Sequence, residues 1–197
     1  MQALTEAVQN SGTYVIELAA GTTYTGNFVI DNKVGTDWLI IRTAGWESSP
    51  PVAAGVRVTA ADASSMAKLL SPDNNPIFRA GLGAHHIRFI GVEFAVDERL
   101  VPLVAIGYDD NIHDPKVDSE LAHHIGFDRT YIHSTSNENL SRVGIIASAN
   151  DFFVINSRIE NIKDSADAQA ILVYSSRGPV HIENNYLEAT GENIMFG

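Results

Sequence analysis

Four stretches of this chain repeat one pattern. AHHIRFIGVEFAVD (84–97) returns as AHHIGFDRTYIHST (122–135), and NDFFVINSRIENIK (150–163) and GPVHIENNYLEAT (178–190) fall into the same frame. In each, an apolar residue is followed by a second two places on and a third seven places on. The sets are Ile87/Phe89/Phe94, Ile125/Phe127/Ile132, Phe152/Val154/Ile159 and Val180/Ile182/Leu187. Their first members stand at 87, 125, 152 and 180, which gives intervals of 38, 27 and 28 residues. A repeat of this length with two-residue alternation is one turn of a strand solenoid rather than a helical repeat. Residues two apart share a strand face, so each apolar pair points inward. Arg88, Gly126, Phe153 and His181, between the pair members, point out.

Between the second and third apolar positions the chain must turn a corner. The corners read Gly91-Val92, Arg129-Thr130, Asn156-Ser157 and Asn184-Asn185. Asn and Gly tolerate the left-handed backbone that a tight corner needs, and stacked Asn side chains can hydrogen-bond along the solenoid axis. Another strand precedes each repeat. Nine and seven residues back from the first apolar position lie Phe78/Ala80, Val143/Ile145 and Ile171/Val173, with Val104/Ile106 serving the coil stretched by the insertion 107–121. That makes three strands per coil and three parallel sheets, all-β in class. The strands ahead of the repeat form the first sheet, the apolar pairs the second, and the third apolar residues the third.

The rest of the chain is less regular. Residues 2–10 (QALTEAVQN) read as a short helix, Leu4 and Val8 on one face, capping the first coil. Tyr14 to Leu18, a turn and return ending near Ile30, and Trp38 to Thr43 with Leu39 and Ile41 inward are strands. A Pro-rich excursion follows at 44–55, and the stretch 60–76 is expected to wrap outside the stack. The formal charge of −11 argues against nucleic acid and anionic membrane as partners. The absence of cysteine excludes disulfides and thiolate metal sites. No stretch approaches a membrane span, and no signal peptide opens the chain.

GTYVIELAAGTTYTGNFVI, followed by coils with an apolar-x-apolar strand and an Asn-bearing corner (INSRI, IENNYL), resembles the right-handed parallel β-helix of the pectin-lyase-like superfamily. The resemblance covers nearly the whole chain. It implies one domain over 1–197, about six coils with a short N-terminal capping helix, secreted or at the cell surface. It also implies a polysaccharide-active protein, a pectate-lyase-like lyase or a glycoside hydrolase acting on acidic polysaccharide in a groove along the first sheet. The alternative is a non-catalytic carbohydrate-binding or structural surface module. Catalytic motifs of the family are not carried over. Only the pair Asp109-Asp110 echoes the polygalacturonase site, and WLIIRT lacks the acid and imidazole of the pectate-lyase segment.

The candidate substrate-binding residues are Asp164, Asp167, Tyr174 and Arg177, around the first-sheet strand that holds Ile171. Tyr174 would stack on sugar, and Arg177 would meet a uronate carboxylate in bidentate fashion. The outward residues of this sheet are read as Gly144, Ile146, Leu172 and Tyr174. Asp164, Asp167, Glu138 and Glu192 gather in the turns leading in; they suit calcium or simply solvate a turn. No other cofactor is called for. In register, His86 stacks on His124 and then Asp151, and His85 on His123 and then Asn150. Duplication alone produces such columns, and no metal ligand is assigned. Glu93, Tyr131, Arg158 and Tyr186 form an outward ladder read as a solvated face with a Tyr–Arg stack. The terminal GENIMFG, read as an uncapped strand, suggests an N-terminal fragment whose edge meets further coils or another subunit.

Overall fold

The computed structural model describes residues 2–9, 11–31, 33–107, 117–136, 138 and 140–197. Strand alternation built on β-branched and aromatic residues gives three parallel ladders, which the chain visits in rotation. The second sheet pairs Tyr14–Leu18, Leu39–Thr43, His85–Ile90, Ala122–Asp128, the C-terminal half of Val143–Ile155, and Val180–Glu183. The third pairs Thr23–Thr25, Ala67–Leu70, Val92–Val96, Tyr131–Ser134, Arg158–Ile162 and Tyr186–Ala189. The first pairs Phe28–Ile30, Phe78–Ala80, Val104–Ile106, the N-terminal half of Val143–Ile155, Gln169–Ser175 and Glu192–Phe196. Six coils result.

The repeat is in register. Ile87, Ile125, Phe152 and Val180 pair in one row, and Phe94, Ile132, Ile159 and Leu187 in another. The inward residues form one core in which Phe89 stacks on Phe127 at 5.3 Å and meets Phe78 edge-on at 4.7 Å. Each buried side chain of this size contributes roughly 1.5–3 kcal/mol, and consecutive coils share those contacts. Gly91, Arg129, Asn156 and Asn184 occupy the corner with φ of 61°, 51°, 53° and 52°. Asn184 Nδ2 donates to Asn156 Oδ1 at 2.9 Å, so the corner amides do bond along the stack.

Helix Gln2–Gln9 lies over the first coil, with Ala7 buried and Leu4 and Val8 packed on the core. No helix among the described residues is long and apolar enough to cross a membrane. The excursion after Thr43 is not a loose loop: Trp46 and Val52 are buried with Val58, Met66, Ile90 and Tyr131 in a second cluster outside the main core. At the other end, Ile194, Met195 and Phe196 are exposed.

Three expectations need correction. Residues 60–76 do not simply wrap outside, because Ala67–Leu70 is a third-sheet strand with Lys68 opposite Thr23 and Glu93. In the first sheet, Ile171 lies opposite Ile145, not Val143, and Ala147 opposite Val173. The register then shifts, Ser148 pairing with Ser175, so Tyr174 is looped out as the extra residue of a bulge. A slip of two keeps every side chain on its face, so alternation alone could not reveal it. Finally, Val143 rather than Gly144 joins Ile146 on the outer face. A Cβ at Gly144 would meet Ile159 Cγ2 at 2.9 Å and Ala170 O at 2.5 Å.

Candidate functional site

The outer face of the second sheet carries the chemistry. His86, His124 and Asp151, stacked at the entry to successive strands, all have left-handed backbone, with φ of 55°, 55° and 47°. Ordinary strand residues alternate faces. A left-handed residue breaks that alternation, and here it brings both histidines of each pair to the same side. His85 Nδ1 lies 3.1 Å from His86 Nδ1, and His123 Nδ1 lies 2.9 Å from His124 Nδ1. The rings also stack from coil to coil, His85 on His123 at 4.9 Å and His86 on His124 at 4.5 Å.

Trp38 heads the same column. It stands one residue ahead of Leu39, as His86 stands one ahead of Ile87, and Leu39 pairs with Ile87. Its indole meets His86 edge-on at 5.4 Å, His124 at 6.3 Å and Phe153 at 6.5 Å. Phe153 lies flat across the neighbouring coil because that coil offers Gly126: a Cβ there would stand 1.8 Å from the Phe153 ring. The Arg88 guanidinium is 5.9 Å from the same ring. A shallow cavity of about 210 Å³ opens between Trp38, His124, Asp151, Phe153, Pro179 and His181.

The electrostatics of the strip are muted. Burial, then the neighbouring imidazoles, push His86 down to about 4 and lower His85 and His123 from their ordinary value. Near neutral pH these three rings are uncharged, offering one donor and one acceptor each. Asp151 Oδ2 stands 3.7 Å from His124 Nδ1. Asp128, on the same face, is occupied: Arg88 donates to it at 2.8 Å and Arg129 at 3.1 Å. His181 is paired with Glu183 at 2.6 Å. One ring nitrogen from each of His86, His123 and His124 lies within 4.8 Å of the other two, the one such group of three among the described residues.

The residues expected from the sequence do not converge. Asp164 and Asp167 precede strand Gln169–Ser175 and Arg177 follows it, so they are separated by the strand's length. Asp164 is buried and ion-paired with Arg99 at 3.0 Å. Asp167 lends only its carbonyl, accepting from Arg142 Nε at 2.8 Å. Tyr174, in the bulge, is 45% exposed. Arg177 pairs with Asp118, and its amide donates to Asn150 Oδ1 at 2.7 Å, which sets it beside the histidine strip rather than beside Asp164. Glu192 accepts from Gln169 Nε2 at 3.0 Å. The outer face of the first sheet is not an open groove along its middle, because Ala105, Val143 and Ile146 are buried there. Asp109, Asp110 and most of the insertion lie outside the described residues.

The outward ladder of the third sheet is also not a solvated face. Glu93 and Tyr131 are 3% and 6% exposed, closed in beside the excursion. His133 Nε2 donates to Glu93 Oε1 at 2.8 Å, Lys68 pairs with the same carboxylate at 3.2 Å, and Tyr131 Oη donates to Glu160 at 2.6 Å. Arg158 holds the other oxygen of Glu160 and lies 3.9 Å over the Tyr186 ring, the expected stack. These pairs make the cluster a cross-coil polar tie, with Arg158 Nε buried and left without a hydrogen-bond partner. A separate cavity of about 270 Å³ between the helix and the first coil is lined chiefly by core residues such as Leu4, Phe28, Phe78 and Phe89.

Sequence reasoning placed Phe153 and His181 outside but did not connect them with Trp38. The signal was present, since applying the repeat register to the residue before Leu39 puts Trp38 on the histidine column. No family model matches the chain, and no curated protein or solved structure does so either.

Proposed function

We propose that this chain is a right-handed parallel β-helix of the pectin-lyase-like superfamily that binds polysaccharide along the outer face of its second sheet. The observation that carries the reading is the strip of Trp38, the paired imidazoles and Phe153 running from coil to coil. Aromatic faces pack against the C–H faces of sugar rings, while imidazole nitrogens reach hydroxyl groups. Adjacent coils repeat at about 4.8 Å, so the strip suits several linked sugars rather than one. Uncharged imidazoles on a chain of net charge −11 favour a neutral polysaccharide over a polyanion.

Binding without turnover is preferred to the lyase or hydrolase reading. Glycoside hydrolysis asks for two carboxyl groups flanking the linkage. Along this strip Asp128 is clamped by two guanidinium groups and Glu183 by His181, which leaves Asp151 alone in that role. Such a ligand implies a secreted or surface setting.

Affinity electrophoresis through gels containing neutral or acidic polysaccharides tests the reading. Retardation in a neutral gel should weaken about tenfold or more in Trp38→Ala and in Phe153→Ala, with neither new reducing ends nor unsaturated product in solution. Retardation that survives both variants but is lost in Tyr174→Ala/Arg177→Ala would move the site to the first sheet.

A further inference from the structure

The histidine strip supplies more nitrogen donors than a sugar platform requires, and it supplies them in pairs. Paired Nδ1···Nδ1 contacts occur on two adjacent coils, 3.1 Å apart in one and 2.9 Å in the next. Two imidazoles bound to one zinc ion at about 2.0–2.1 Å hold their nitrogens about 2.9 Å apart at a right angle and about 3.3 Å apart at the tetrahedral angle. His123 Nδ1 and His124 Nδ1, 2.9 Å apart, stand at the first of these and need open by only about 0.4 Å to reach the second. His86 completes a set within 4.8 Å; it must draw in by roughly 1–1.5 Å, a change that ring torsions supply. Asp151 Oδ2, 3.7 Å from His124 Nδ1, lies one coil further along the same column.

We propose that His86, His123, His124 and Asp151 bind one transition-metal ion of the zinc class. The donor set is three imidazoles and one carboxylate, without thiolate, which suits zinc, cobalt or nickel and not calcium or magnesium, whose preferred ligands are oxygens. His123 Nδ1 and His124 Nδ1 stand 2.9 Å apart and Asp151 Oδ2 lies 3.7 Å from the latter, so the cation sits toward the His123–His124–Asp151 end, with His86 reaching over from the preceding coil. The inference goes beyond the polysaccharide reading and does not depend on it.

The test is stoichiometric zinc uptake by the full chain, dialysed against zinc chloride and titrated calorimetrically, beside His86→Asn/His124→Asn. Asparagine tolerates the φ of 55° at both positions, so this variant keeps the corner. Its circular dichroism should match the parent. The expected result is one zinc ion per chain, bound about tenfold or more weakly by the variant, with a visible cobalt(II) absorption band present in the parent and absent in the variant. Calcium chloride should not compete. His123→Gln, which removes a ligand outside the left-handed positions, carries the same expectation if the double variant does not fold. No zinc uptake by the parent, equal uptake by a folded variant, or displacement by calcium would each overturn the proposal.

Discussion

At Asp128 a carboxylate that is 4% exposed sits between two guanidinium groups and also accepts from Asn156 Nδ2 at 3.4 Å. Burial alone would raise its pKa, but hydrogen bonds and charge from Arg129, with Arg88 and Asn156, overcome this and hold it below the usual carboxylate value. A depressed folded-state pKa contributes stability that is fully present above the unfolded value, about 3.9. That stability is lost as pH falls through the folded value. Urea unfolding at pH 7 should therefore show Asp128→Asn less stable by roughly 3 kcal/mol, since buried Arg129 and half-buried Arg88 lose their counter-charge. The gap between parent and variant should shrink on acidification below about pH 4. A gap that persists unchanged at pH 3 would mean that the carboxylate's charge is not what stabilises this corner.

The excursion after Thr43 acts as a strap, and its anchor is a contact between an indole and a bare backbone. Gly91 has φ +61°, and a Cβ built there would stand 2.1 Å from Cδ2 of Trp46, which is fully buried. Gly91→Ala combines left-handed strain with displacement of the strap, so a loss of roughly 2–4 kcal/mol is expected in thermal or urea unfolding. Gly45→Ala, at φ +83° with nothing within 4 Å of the added Cβ, should cost only about 1 kcal/mol. Equal losses would show that Trp46 moves freely and that the strap is not docked. The sequence made the strands of the repeat legible because a period of two is conspicuous wherever Ile87, Ile125, Phe152 and Val180 align. It hid the slip at Ile145 and Ile171, because a shift of two preserves the pattern. Register made the two histidine columns legible, but not their meeting on one side: at His86 and His124 the left-handed backbone breaks the alternation of faces. The strap was illegible because Trp46 docks by shape on a glycine far away in sequence.

Among the described residues, strand pairing runs only between successive coils, so a row of equivalent positions becomes a continuous line on the surface. Trp38, His86, His124 and Asp151 form such a line with Phe153 beside it, so that a local corner repeated from coil to coil becomes an extended face. Asp164, Asp167 and Tyr174 lie along one stretch of chain and stay apart, whereas equivalent positions on successive coils are brought together. The chain has two tryptophans, Trp46 buried in the strap and Trp38 half-buried on the strip. Acrylamide quenching of tryptophan fluorescence therefore reports the strip through Trp38. The account predicts that a polysaccharide retained in the affinity gel will protect part of the emission from quenching, and that this protection will vanish in Trp38→Phe. A polysaccharide that binds with no change in quenching would contradict it, because the ligand would then lie away from the second sheet's outer face.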